Sequence, residues 1–178
     1  AALACILAAG GGAGWLAHVR LQQLQAAFET DARIVHRLLS QRVVQHDAIL
    51  STLALLQPPA PREGEADAAL PRLPAVYPQI LDVLRRPAGG AWPAATPALA
   101  AAEAASRASG HAALAQPDLA AGRYHLVLAS TPASYALHID LHASVPQGEW
   151  PMDRAASPVH VTLEHAGQTF TIQSGHIP

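Results

Sequence analysis

The sequence contains no lysine and no asparagine, a single cysteine and a single methionine, and aromatic residues make up only 4% of its 178 residues. Each shortage removes a class of reading. The one cysteine, Cys5, lies inside an apolar N-terminal run, so the rest of the chain has no disulfide, thiolate metal site or cysteine nucleophile. Such a cysteine-free portion fits an oxidising compartment. All 11 basic residues are arginine, and 13 acidic residues balance them to a formal net charge of -2. With no basic stripe and no interleaving of aromatic and basic residues, there is no case for nucleic acid as a partner. Nucleophile elbows, HExxH pairs and paired-carboxylate motifs are missing, and the glycines at 10–14 sit in the apolar run instead of following a strand. The segment is therefore read as non-enzymatic and without a cofactor.

What the chain does contain begins at its first residue. Ala1 to Ala17 carry no charge and run without proline into a polar stretch with helical patterning. Seventeen such residues are at the short end of a membrane span and are costly to leave in water. The expectation is a transmembrane anchor over 1–19 whose helix continues outward. A buried soluble helix is an alternative, as are a cleaved signal peptide and a lipid-modified Cys5. The last two are disfavoured because the small-residue site precedes most of the apolar run instead of following it. An opening on Ala1 and not on Met gives the further expectation that this is a piece of a longer protein.

From Arg20 to Gln57 there is neither Gly nor Pro, and Leu21, Leu24, Phe28, Val35, Leu38, Leu39, Leu50, Leu53 and Leu56 recur at three- and four-residue steps. One long amphipathic helix is expected over 20–57, with Glu29 and Arg33 paired one turn apart and Pro58-Pro59 as its stop. Residues 58–70, rich in Pro, Ala and acid, read as an exposed connection. In LPAVYPQILDVLRR, Val76, Tyr77, Ile80, Leu81 and Leu84 fit a short second helix closed by Arg85-Arg86. A third helix is expected from a Thr96 cap and Pro97 to a stop at Gly110.

Beyond Gly110 the period changes to alternation. Residues 123–129, 135–143, 159–165 and 168–173 read as strands, 111–115 as a possible fifth, and Ala166-Gly167 as a two-residue hairpin. Helices followed by antiparallel strands define an α+β fold, with a domain over 58–178 on which the 20–57 helix packs. On strand 135–143, Tyr135, Leu137, Ile139 and Leu141 form an apolar face, while His138, Asp140 and His142 share the polar one.

The stretches FETDARIVHRLLSQRVVQHDAIL, GRYHLVLASTPASYALHIDL and VPQGEWP, in the order anchor, long helix, short helices and sheet, resemble the extracytoplasmic sensor region of bacterial two-component histidine kinases. More loosely they resemble the PAS-like periplasmic domains called PDC or Cache. The resemblance implies a PAS-like sheet of four to five strands and a periplasmic sensing module on the bacterial inner membrane. It implies a small-molecule ligand whose binding is coupled to a membrane helix. The chain departs from the full pattern in having no second apolar span and no phosphoacceptor or ATP-binding region. A homodimer through the long helix is expected from the heptad-like spacing of Leu21, Leu24 and Phe28, against which stand Asp31 at the next seam position and packing of the same leucines within one copy.

Two candidate sites follow. An organic ligand would use Arg123 to grip a carboxylate, Asp140 to hold an amine, and Tyr124, Tyr135 and Trp150 as walls. Each has a blander role: Tyr135 in the core, Arg123 solvated, Trp150 capping the sheet edge. A metal would use His138, Asp140 and His142, with His160 and Glu164 from a neighbouring strand. The plainer reading is the wet face of a half-buried sheet. His36 and His46, ten residues apart on the long helix, read as exposed polar positions. The competing function is a membrane-anchored metal-binding or scaffold domain without signalling output.

Overall fold

The computed structural model describes the backbone of residues 2–57, 73–92 and 96–176, with side chains from Gly14 onward apart from Gln116. Helix α1, Ala2–Leu56, is a single uninterrupted helix, so the apolar run and the polar stretch are continuous as expected. Among the described residues no helix is long and apolar enough to cross a membrane. The expected anchor over 1–19 lies mostly outside the residues whose side chains are described, as does the expected connection over 58–70.

Helix α1 changes character along its length. From Gly14 to Thr30 it is exposed almost throughout, whereas Val35, Leu38, His46, Leu50 and Leu53 are buried. Leu21, Leu24 and Phe28, on the same stripe, remain uncovered. The Glu29–Arg33 pair forms at 3.9 Å on the wet face. The helix stops where Gln57 takes a left-handed φ of 43°. The Gln57 amide donates to the Ala54 carbonyl at 2.7 Å and to the Ser130 hydroxyl at 3.2 Å, pinning the helix end to a distant turn.

The expected second helix is corrected. Only Leu73–Val76 are helical (α2), and Ile80–Pro87 form strand β1. Pro78 breaks the helical run, and β1 pairs along its length with a later strand, so tertiary pairing overrides local period. Arg85 and Arg86 consequently sit in a sheet instead of closing a helix.

Helix α3, Ala98–Ser109, ends as expected at Gly110, whose φ of 74° and bond to the Ser106 carbonyl make a left-handed cap. Its cap position is Pro97, one residue beyond Thr96. Strands β2 (Ala113–Asp118), β3 (Arg123–Leu128) and β4 (Ala133–Asp140) complete an antiparallel four-stranded sheet of order β1-β4-β3-β2. Strand β4 ends three residues earlier than the sequence suggests. The Asp140 carboxylate accepts from the His142 N–H at 2.8 Å, capping a short helix, α4, Leu141–Ser144. Strands β5 (Val161–His165) and β6 (Gln168–Gln173) form a separate hairpin turned by Ala166 and Gly167, both at positive φ.

The sheet is covered on both faces. Leu50 and Leu53 of α1 pack on Ile80, Val83, Tyr135, Leu137 and Ile139. On the opposite face Leu99 and Ala102 of α3 meet Ala115, Val127 and Ala136. Each fully buried Leu, Ile or Tyr contributes about 1.5–3 kcal/mol through area removed from water. A third cluster, Leu119, Leu141, Val145, Phe170 and Ile172, joins the hairpin to the sheet end, with Leu39 of α1 against it.

One buried charge holds α3 in place. Glu103, 5% exposed, accepts from Arg86 at 2.5 Å, Ser134 at 2.6 Å, Trp92 Nε1 at 2.8 Å and Arg107 at 2.9 Å. Burial pushes its pKa up, but the hydrogen bonds from Arg86, Ser134 and Trp92 and the charge of Arg86 outweigh it and leave the carboxyl at about 2.

Candidate ligand pocket

The residues proposed from sequence for an organic ligand are not gathered at one place. Successive strand residues point to opposite faces. Tyr124 stands opposite Ile139, on the face covered by α1, while Arg123 stands opposite Asp140 on the α3 face. Tyr135 is fully buried in the α1-side core, its hydroxyl 3.4 Å from the Gln57 side-chain oxygen. Trp150 donates to Gln173 at 2.6 Å and packs with the hairpin cluster, serving as a strut. Arg123 and Asp140 face each other across neighbouring strands, and Asp140 is already occupied as a helix cap.

The candidate metal residues are also dispersed. His142 lies on α4, not on a strand, and packs edge-on against Phe170 at 4.7 Å between ring centroids. Strand β4 lies between β1 and β3, so Glu164 on the hairpin and His160 just before it are not on a strand beside β4. Among the described residues no group of three or more His, Cys, Asp or Glu is placed to hold a metal ion. What His138 does meet is His125, directly opposite on β3, with the rings stacked 4.3 Å apart. Both imidazoles have lowered pKa values. Burial is the main cause for each, reinforced by His138 for His125 and by Arg123 for His138, while Asp82 opposes the shift in both.

The α1 face of the sheet offers a different site. A pocket of about 280 Å³ opens between α1, the sheet and the hairpin. Helix α1 supplies Val43 and His46, and the sheet supplies Leu114, Pro117, Tyr124 and Leu126. Leu163, Glu164 and His165 line it from the hairpin, with Leu119 and Leu141 completing the wall. Its lining is mainly aliphatic. Two other hollows are more polar or already engaged: one between Arg42, Gln45 and Glu149, and one beside the Glu103 network.

His46 is the most enclosed polar side chain beside the pocket. It is 1% exposed, its Nδ1 lies 3.3 Å from the Tyr124 hydroxyl, and its Nε2 has no hydrogen-bond partner among the described residues. Leaving such a buried group unmatched costs about 1–3 kcal/mol. Burial, and secondarily the charge of Arg42, lower the His46 pKa to about 4, and burial pushes the Tyr124 phenol up to about 12. Both groups are therefore neutral near pH 7. If the tyrosine donates to Nδ1, Nε2 carries a proton and donates; if Nδ1–H donates to the tyrosine, Nε2 accepts.

The expectation that His46 is an exposed helix position is thus overturned, while His36 is exposed as expected. A signal was present in the sequence. His46 is four residues before Leu50, seven before Leu53 and eight after Leu38, which places it on the buried stripe. Its partner, Tyr124, is 78 residues away, and no spacing rule connects the two. No family model, curated protein or solved structure matches the chain.

Proposed function

We propose that the chain is the sensing module of a membrane-bound signal-transduction receptor of the two-component kind, in which occupancy of a pocket biases the position of a long helix leading to the membrane. The observation that carries this reading is the division of labour within α1. One continuous helix supplies part of the domain core at Leu50 and Leu53, part of the pocket wall at Val43 and His46, and a projecting segment from Gly14 to Thr30. A ligand that binds one arrangement of pocket and helix more tightly shifts the population toward it. Any such shift reaches the N-terminal end because the helix between has no break.

The uncharged run before Arg20 supports attachment to the bacterial inner membrane, with the domain on the periplasmic side. The exposed stripe of Leu21, Leu24 and Phe28 fits pairing of two copies along the projecting segment. The catalytic output of such a receptor belongs to a separate module. The competing reading of a metal-binding domain gains nothing from the scattered positions of His138, Asp140 and His142.

The first test is the reading frame of the gene on both sides of this segment. A second apolar span after Pro178 leading into a histidine-kinase core supports the proposal. A stop codon shortly after Pro178 overturns it.

A further inference from the structure

We infer that the hollow between α1 and the 3₁₀ turn Gln147–Glu149 binds a small zwitterion with a carboxylate at one end, held by Arg42, and an ammonium group at the other, held by Glu149. The site is separate from the pocket beside His46. It stands whether or not the chain belongs to a receptor.

Two opposite charges line one hollow without meeting. Helix α1 contributes Leu38, Gln41, Arg42 and Gln45, and the chain entering and forming the turn contributes Pro146 and Glu149. Among the described residues neither Arg42 nor Glu149 has an ion-pair partner within 4.0 Å, each other included. Arg42 is half-buried and Glu149 is exposed, so both are reached from solvent without opening the core.

Each charge stands on a held support. Arg42 Nη1 donates to the Gln45 side-chain oxygen at 2.9 Å, and that oxygen also accepts from Gln79 at 3.3 Å. The guanidinium is thereby tied to another residue lining the same hollow. The turn is fastened to the hairpin by Trp150, which donates to Gln173, and by Arg154, which donates to Gln147 and to the Ile172 carbonyl. Arg154 is spent on these neutral acceptors and forms no ion pair with Glu149. Groups already held in place lose little freedom when a guest binds.

The walls define the guest. A simple anion pairs with Arg42 but meets the Glu149 carboxylate, and a simple cation pairs with Glu149 but meets the guanidinium; like charges set side by side are penalised. A molecule charged at both ends satisfies both walls, and the arginine fork suits a carboxylate in particular. Leu38 and Pro146 offer a short apolar surface to the methylenes between the two charges. The hollow of about 280 Å³ lies at the small end of ligand sites, which span roughly 300–1,000 Å³, so the linking chain is a few carbons long. Both charges reach water, so added salt weakens the binding.

The test uses the full chain labelled with ¹⁵N and three aminoalkanoates of rising length: β-alanine, γ-aminobutyrate and ε-aminocaproate. At least one is expected to shift the amide resonances of Gln41 to Gln45 and of Gln147 to Trp150 saturably. Butyrate and butylammonium, which each keep one charge of γ-aminobutyrate, should bind at least about tenfold more weakly than the best zwitterion. Arg42→Gln and Glu149→Gln should each lower its affinity by at least about tenfold. Glu149 makes no side-chain hydrogen bond or ion pair among the described residues, so Glu149→Gln should leave the melting temperature unchanged and decides the matter even if Arg42→Gln unfolds. No saturable shift with any of the three, equal affinity for the singly charged analogues, or undiminished binding by a folded Glu149→Gln variant would overturn the inference.

Discussion

Replacing Glu103 by glutamine keeps the side-chain length but removes the negative charge on which Arg86, Arg107, Trp92 and Ser134 converge. A pKa moved from the usual 4.5 to about 2 corresponds, at about 1.36 kcal/mol per unit, to about 3 kcal/mol of differential stabilisation of the ionised form. The Arg86 side chain is only 19% exposed and would be left without a counter-charge. Breaking a buried pair by removing one partner typically costs about 3–5 kcal/mol. Arg107 is largely exposed and adds little. Glu103→Gln should therefore lower the unfolding free energy by about 3 kcal/mol at pH 7. Because the folded-state pKa is depressed, this stabilisation is fully present above the unfolded value near 4.5 and is lost as pH falls toward about 2. The gap between wild type and variant should close over that window. Urea unfolding followed by tryptophan fluorescence reads it directly, since Trp92 donates to the same carboxylate. A loss below about 1 kcal/mol at pH 7, or a gap that stays constant from pH 7 down to about pH 2, refutes the reasoning.

Gly122 sits at φ 65°, and a Cβ there would lie 2.8 Å from Phe170 and 3.0 Å from His142. Gly122→Ala should cost about 1–3 kcal/mol and raise hydrogen exchange in β5 and β6 ahead of the sheet; equal protection in both regions would contradict this. Leu50→Ala opens a cavity where α1 meets the sheet and should lower stability by about 2–5 kcal/mol in chemical denaturation, whereas Leu55→Ala, at an exposed position, should change it by less than about 0.5 kcal/mol. His46 should stay neutral in an NMR titration until pH falls to about 4. Its lowered folded-state pKa means that its contribution to stability is present above the unfolded value near 6.5 and is lost as pH falls toward about 4. A His46 midpoint near 6.5 would show that the side chain is not enclosed.

The parts of the fold legible in the sequence were those whose signals are local. Helix α1 followed from thirty-eight residues without Gly or Pro, and the β5–β6 hairpin from Ala166-Gly167. Strand β1 was hidden because Ile80, Leu81 and Leu84 also fit a helical face. The irregular register between Ile80 and Asp82 also blurs the period of two that would have revealed the strand. Asp140 was misjudged for a related reason: strand alternation continued to look favourable through His142, while the carboxylate was in fact starting a new helix. The ligand set drawn from sequence named Arg123 and Tyr124 together, although adjacent strand residues cannot share a face. Pocket and hairpin positions depend on how β5 and β6 dock against Leu119 and Leu141, contacts that no local pattern encodes.

Fastening the end of α1 through Gln57 to Ser130, with Leu50 and Leu53 buried beside it, makes the helix a lever with its fulcrum near the sheet. At about 1.5 Å per residue, His46 lies ~10 Å from Leu53 and Gly14 ~58 Å from it. A tilt that moves the helix by about 1 Å at the pocket would thus sweep the far end through roughly 5–6 Å. A guest too small to distort the core could still produce a displacement at the projecting end as large as a turn of helix.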